Sequence, residues 1–224
     1  AVAGHVSVQN VLDFLCELSE AVVRTMPPGG MVAVLAGLDE FRQAVRPNSD
    51  LTIASVNSGQ HLVISADVSG LDRARRAMTD RNLLYQDLPV DFAFHSPAVD
   101  AMAGEMWDIG KRLRINVPAD TSRIYSSRTC ELITDVSADT CLGVIRGPIR
   151  FTETVARVPS YQSHYYVDLS PSSSLSAILR SSLPETKTFP VITPFNGEMQ
   201  NIARVVEKLA PGVSSDAKRG DVPW

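Results

Sequence analysis

The stretch DFAFHSP at residues 91–97 sets a histidine at the end of an apolar run, directly before Ser96 and Pro97. Proline cannot donate to a β-ladder and suits the first turn of a helix, so His95 falls at a junction between a strand and a helix. An imidazole titrates near neutral pH; it can take the proton of a weak nucleophile and give it back, which is work for a hydroxyl or thiol partner. It can also simply fill or cap the junction, and the local sequence leaves both readings open. His5, His61 and His164 stand far from it in sequence and form no HExxH pattern. Cys16, Cys130 and Cys141 are odd in number and lack CxxC spacing, which argues against a zinc knuckle or a disulfide framework and makes buried free thiols the expectation. No metal site is expected.

The elements that must position His95 can be read from periodicity. Residues 7–26 carry Val11, Leu12, Leu15, Leu18 and Val22 at helical spacing behind Ser7, a residue suited to an N-cap. Pro27-Pro28-Gly29-Gly30 ends that helix, MVAVLAG (31–37) follows as a strand, and a second helix is expected over about 38–45. Residues 51–66 give two β-rich runs around a turn at Asn57-Ser58-Gly59, and 68–82 a helix with Leu71, Ala74 and Met78 on one side. LLYQDLPVDFAF (83–94) reads as the closing strand, so residues 31–94 have the order β-α-β-β-α-β of a ferredoxin-like subdomain. Beyond His95, a helix is expected from Pro97 to about Arg114, short strands at 123–127 and 131–135, a helix over 149–157, and a βα unit over 163–183. From Pro184 onward, Pro190, Pro194 and Pro211 surround one expected helix, EMQNIARVVEKL, and the stretch reads as a linker or docking extension.

With 224 residues and 44% hydrophobic content the chain can bury a sizeable core. A formal charge of −4, with Lys and Arg scattered rather than clustered, offers no footprint for nucleic acid or an anionic membrane. No apolar run approaches the roughly 20 residues that span a bilayer, and no basic region with an apolar signal core opens the sequence. A cytoplasmic protein with neither nucleic acid nor membrane as partner is expected.

Five stretches, GGMVAV (29–34), ASVNSGQHLVISAD (54–67), LPVDFAFHSP (88–97), GPIRF (147–151) and VDLSPSSSLSAI (167–178), occur in one order and at characteristic spacing. Together they resemble the acyltransferase domains of polyketide synthases and, more distantly, malonyl-CoA:acyl carrier protein transacylases. The resemblance runs over about residues 1–183, and the terminal GDVPW is similar to the segment that follows such a domain in a multimodular synthase. It implies an α/β fold: a hydrolase-like α/β core from 1–30 and 95–183, an inserted ferredoxin-like (βαββαβ) small subdomain at 31–94, and a post-domain linker at 184–224. It also implies that His95 is the catalytic base acting on a serine in a GHSxG elbow, that Phe94 and Ser96 line the acyl pocket, and that a backbone carbonyl at Val144 orients the histidine.

The sequence departs from that family in three places. No GxSxG occurs in the 224 residues, and AVAGHVS matches a segment after the nucleophile helix, so the serine is expected outside the sequence, on a separate or omitted N-terminal piece. The arginine that pairs with a dicarboxylic acyl group falls, counted back from Gly29-Gly30-Met31, on Leu18. Leucine cannot pair a carboxylate, so a neutral or starter acyl group is expected, although FAFHS is the form associated with malonyl. The family's YW pair corresponds to Thr140-Cys141. The resemblance implies acyl-CoA as cosubstrate, no metal or redox cofactor, and an acyl carrier protein with its phosphopantetheine thiol and neighbouring synthase domains as partners. An acyl hydrolase that clears stalled chains and a non-catalytic scaffold domain remain as competing expectations.

Overall fold

Ser7 opens helix α1 (Val8–Thr25) as its spacing predicts, its hydroxyl accepting from Asn10 N–H. The computed structural model describes residues 4–45, 51–113, 123–134, 137–195 and 197–209. The expected helix end at Arg114, the end of the 131–135 run and the GDVPW stretch lie outside the described residues. The chain divides into two compact units, Ala1–Pro159 and Ser160–Trp224.

In the first unit, α1 is followed by β1 (Gly29–Val34), α2 (Leu38–Ala44), β2 (Leu51–Ser58), β3 (His61–Asp67), α3 (Val68–Asp80) and β4 (Tyr85–Asp87). The four strands form one antiparallel sheet in the order β2-β3-β1-β4. Alternation along the strands sends Val32, Val34, Leu62, Ile64 and Ala66 to one face. There they meet Phe41 of α2 and Leu71, Ala74 and Met78 of α3 in a buried cluster. The opposite face carries Met31, Ala54 and Val63, packed with Leu88, Val90 and Phe94.

Two local expectations change. Asn57 and Ser58 stay in β2 and the chain turns at Gly59-Gln60 instead. The closing strand ends at Asp87, because Pro89 has no N–H to continue the ladder. The chain nevertheless keeps to the edge of β1, with Leu88 N–H donating to Met31 O and Gly29 N–H to Asp91 O, each at 3.0 Å.

At Gly29 a β-carbon would stand 2.6 Å from the carbonyl oxygen of Ala66 and 3.0 Å from Ala93 Cβ. Neither atom is the end of a flexible side chain, so Gly29→Ala must push β1 away from β3. We expect a loss of about 1–3 kcal/mol, read as a lower chemical-denaturation midpoint with unchanged slope. An unchanged midpoint would show that the strand pair yields freely.

After His95 comes a 3₁₀ turn (Pro97–Met102) running into α4 (Ala103–Arg112), then α5 (Ala138–Arg146) and α6 (Phe151–Arg157). Leu18, Ala21 and Val22 of α1, with its C-cap Met26, pack with Val99, Met102, Met106 and Ile109, and Leu142 and Ile145 of α5 close the cluster. Arg24–Glu105 and Arg112–Glu17 also join α1 to α4. Both pairs are exposed and contribute little beside the apolar contact. The expected strands at 123–127 and 131–135 reduce to a single bridge, Tyr125–Leu132, around a tight turn in which Cys130 takes a φ of +60°. Cys130 is the buried thiol; Cys16 is exposed on α1, contrary to expectation, and burial pushes the half-buried Cys141 thiol up.

In the second unit, β5 (Tyr165–Asp168), α7 (Ser174–Ser182) and β6 (Lys187–Pro190) make a βαβ unit with parallel strands, followed by α8 (Glu198–Leu209). In the stretch from Pro184, expected as a linker, the expected helix EMQNIARVVEKL is present as α8, and the stretch also supplies a strand, β6, that was not expected. Pro190 ends β6 and Pro194 precedes α8, so these two mark the ends of elements instead of preventing them; Pro211 lies outside the described residues. Asp168 ties the β5–α7 turn together, accepting from Ser170 N–H at 2.8 Å and Ser176 N–H at 2.7 Å. Burial raises its pKa, but the serine hydrogen bonds outweigh that and hold the carboxyl below its usual range. Among the described residues no helix is long and apolar enough to cross a membrane.

Candidate active site

His95 sits on a sharp reversal: Phe94 N–H donates to Phe92 O at 3.0 Å, and His95 takes a left-handed φ of +56°. A non-glycine residue held there costs on the order of 1–3 kcal/mol, so surrounding contacts must impose it. Three are evident. His95 N–H donates to Ile145 O at 2.9 Å, and its ring Nδ1 lies 2.8 Å from Gly147 O. Arg146, between those two residues, makes a bidentate pair with Asp100 of the 3₁₀ turn, at 2.7 and 3.2 Å. The end of α5 thus grips the histidine junction from both sides.

The contact at Gly147 decides the tautomer. A carbonyl oxygen only accepts, so Nδ1 carries the proton and Nε2 holds the basic lone pair. Held in this way, the ring presents Nε2 as its acceptor nitrogen while Nδ1–H stays on Gly147 O.

Beside His95 is a cavity of about 590 Å³. His95, Phe94, Leu18 and Val144, expected separately from sequence, all line it, with Leu15, Val22 and Phe92 completing its apolar wall. Phe92 and Phe94 meet edge to face, ring centres 6.2 Å apart. Leu18 is 8% exposed, its side chain shared between this wall and the cluster behind α1. Asp91 is the one charged side chain among the lining residues, and no Lys or Arg is among them. Arg24 is engaged with Glu105, whose other oxygen accepts from Thr25 Oγ1 at 2.8 Å.

Two expected roles change. Ser96 does not line the cavity: it is buried, its hydroxyl donates to Ala93 O at 2.6 Å, and it accepts from Ala98 N–H as the cap of the 3₁₀ turn. A serine before Pro97 is spent on that cap because the first turn leaves its N–H groups without helical partners. Val144 presents itself as cavity lining, while the carbonyl that accepts from Nδ1 belongs to Gly147, three residues later. Val144 is still within α5; Gly147, its C-cap, lies where backbone carbonyls are no longer used by the helix. The signal that could have located it is Gly147-Pro148, since proline soon after a helix marks the end of the ladder. Among the described residues no three His, Cys, Asp or Glu side chains gather as a metal site would require.

The chain matches the acyl transferase domain family over residues 1–215. It is 28% identical over 212 residues to "Polyketide biosynthesis acyltransferase homolog BaeD" of Bacillus velezensis, covering 93% of this chain and 65% of that protein. With the homolog PksD of Bacillus subtilis it shares 24% identity, over 92% of this chain and 64% of the relative. It therefore spans just under two thirds of the length of these curated relatives. Among solved structures, the acyltransferase domain from module 8 of the salinomycin polyketide synthase superposes with a TM-score of 0.81 at 23% identity, over 96% of this chain and 52% of that one. That likeness is one of fold. With the family pattern matched along nearly the whole sequence, the chain belongs to the acyl transferase domain family.

Proposed function

We propose that the protein moves an acyl group from CoA, or from a carrier-protein thioester, to the phosphopantetheine thiol of an acyl carrier protein, by way of an acyl-serine. The observation that carries this reading is the 2.8 Å contact of His95 Nδ1 with Gly147 O, which leaves Nε2 as the base at the edge of an apolar cavity. In the first half-reaction Nε2 takes the serine proton as the hydroxyl attacks the thioester carbonyl, then returns it to the departing thiolate. In the second half-reaction it takes the proton of the incoming phosphopantetheine thiol, and gives it back to the serine oxygen as the acyl bond to the enzyme breaks. The serine comes from outside the 224 residues, none of which lies in a GxSxG elbow. Acyl-CoA is then a cosubstrate, an acyl carrier protein and neighbouring synthase domains are the partners, and the steps use no metal or redox cofactor.

In the same reading β1 to β4 with α2 and α3 are the inserted ferredoxin-like subdomain of a hydrolase-like α/β core. The polyketide context of the relatives extends to this chain as part of the proposal. The acyl group is neutral, because no Lys or Arg is among the described residues that line the cavity. The test is to mix the full-length protein with labelled acetyl-CoA and follow intact mass: an acetylated enzyme should accumulate and be discharged by a carrier-protein thiol. Absence of any acyl-enzyme would remove the proposal; discharge to water at the same rate with and without the carrier would replace transfer by hydrolysis.

A further inference from the structure

The carbonyl that holds His95 belongs to a short segment, and that segment is itself held by β2. Ile149 N–H donates to Ala54 O at 2.8 Å, and Val56 N–H donates to Ile149 O at 3.3 Å. Ser55, between those two residues of β2, is only 3% exposed and places its hydroxyl 3.2 Å from the same Ile149 oxygen and 2.5 Å from Asn57 Oδ1. A hydroxyl has one proton, so Ser55 shares it between two acceptors, and its oxygen is pinned by both. Asn57 is pinned in turn, because Nδ2 donates to His61 Nδ1 at 2.9 Å. Burial holds the His61 pKa below its usual range, which keeps that nitrogen able to accept.

We infer that Ser55, Asn57 and His61 form a positioning relay for His95: they fix the Ile149 carbonyl, and through the rigid Pro148 the Gly147 carbonyl two residues away. Pro148 matters because its ring locks one backbone dihedral, so an anchor at Ile149 is felt at Gly147 with little slack. Nothing in acyl transfer requires a serine or a histidine on this strand pair. None of the three side chains lines the cavity.

The test uses the full-length protein with Ser55→Ala, the hydroxyl-retaining Ser55→Thr, and His61→Phe. Long-range proton–nitrogen NMR of the histidine rings reports which nitrogen of His95 carries the proton. This arm does not depend on the acyl-transfer reading, whereas the kinetic arm rests on it. In Ser55→Ala the His95 signals should shift from a pure Nδ1–H tautomer toward a mixture. In parallel kcat should fall about 2- to 10-fold, with KM changed less than about twofold, as expected for loosening one neutral hydrogen bond that acts on the chemical step. Ser55→Thr should restore both readouts, and His61→Phe, one link further out, should give the same changes at smaller size. The inference is overturned if Ser55→Ala or His61→Phe lowers the melting temperature while the His95 tautomer stays as in wild type, because the side chains would then only brace the sheet. If instead His95→Ala leaves turnover intact, the acyl-transfer reading fails, and the tautomer measurement still decides the relay.

Discussion

Replacing His95 by alanine should lower the rate of acyl-enzyme formation in the full-length protein by about 10²- to 10⁴-fold, the range for losing a positioned general base. The structure sharpens this into a comparison of three variants. His95→Ala removes both the base and the Nδ1–H that binds Gly147 O. His95→Asn can keep a donor toward Gly147 and supplies no base, so its rate should be as low as that of alanine even where its stability is closer to wild type. A small rescue by asparagine would mean that the ring's contribution is architectural and that the junction reading of this histidine is correct. The left-handed φ of +56° supplies a second check, since Asn tolerates that region and Ala does not. His95→Ala should thus also cost some stability, and the acyl-enzyme signal must be normalised to folded protein. Free imidazole added to His95→Ala should recover part of the rate if the missing group is a base.

Local pattern explains what could be read in advance. The cap at Ser7, the two apolar faces of the sheet and the helices over Phe41 and Leu71 follow from period and turn chemistry, which act over a few residues. Helix α5 escaped because ADTCLGVIR contains threonine, cysteine, glycine, valine and isoleucine, all weak helix formers, and its packing against α4 and α1 decides the outcome. Strand β6 escaped for a different reason: a parallel strand gains its ladder only from its partner across α7, so four residues ending in Pro190 carry no signal of their own.

The site divides the same way. Phe94 and Leu18 are side chains whose apolar character places them at a wall. Gly147 acts through its carbonyl, which every residue possesses, and nothing in a residue's identity reveals such a role. Motif spacing placed the carbonyl at Val144, three residues from where the geometry puts it. The family resemblance implies Ser96 as pocket lining, but its position before Pro97 is equally a capping signal, and the buried hydroxyl follows that second logic.

Leu18→Arg should move the preference of the protein from neutral acyl groups toward malonyl. Leu18 lines the cavity beside His95, where the lining residues include Asp91 but no Lys or Arg, so a bound malonyl carboxylate would lose water and gain no cation. A guanidinium at position 18 can meet a carboxylate through two parallel N–H···O bonds, and a charge-assisted contact of that kind is worth about 1.5–3 kcal/mol. The malonyl-to-acetyl loading ratio should then rise roughly 10- to 100-fold. The substitution also has a folding cost, because Leu18 packs with Val99, Met102 and Met106 and a charge would share that cluster. For that reason the measurement must be a competition: labelled acetyl-CoA and malonyl-CoA offered together to one sample give a ratio from which the folded fraction cancels. Leu18→Met, which keeps the apolar volume, should leave the ratio where wild type has it and so separates charge from packing. If wild type already loads malonyl far better than acetyl, the carboxylate must find a cation beyond the cavity lining seen beside His95. Arg24 could then serve only by giving up Glu105, and Glu105→Gln, which frees that guanidinium, should raise malonyl loading further. If Glu105→Gln has no effect, Arg24 is not the partner, and Arg123 becomes the residue to replace.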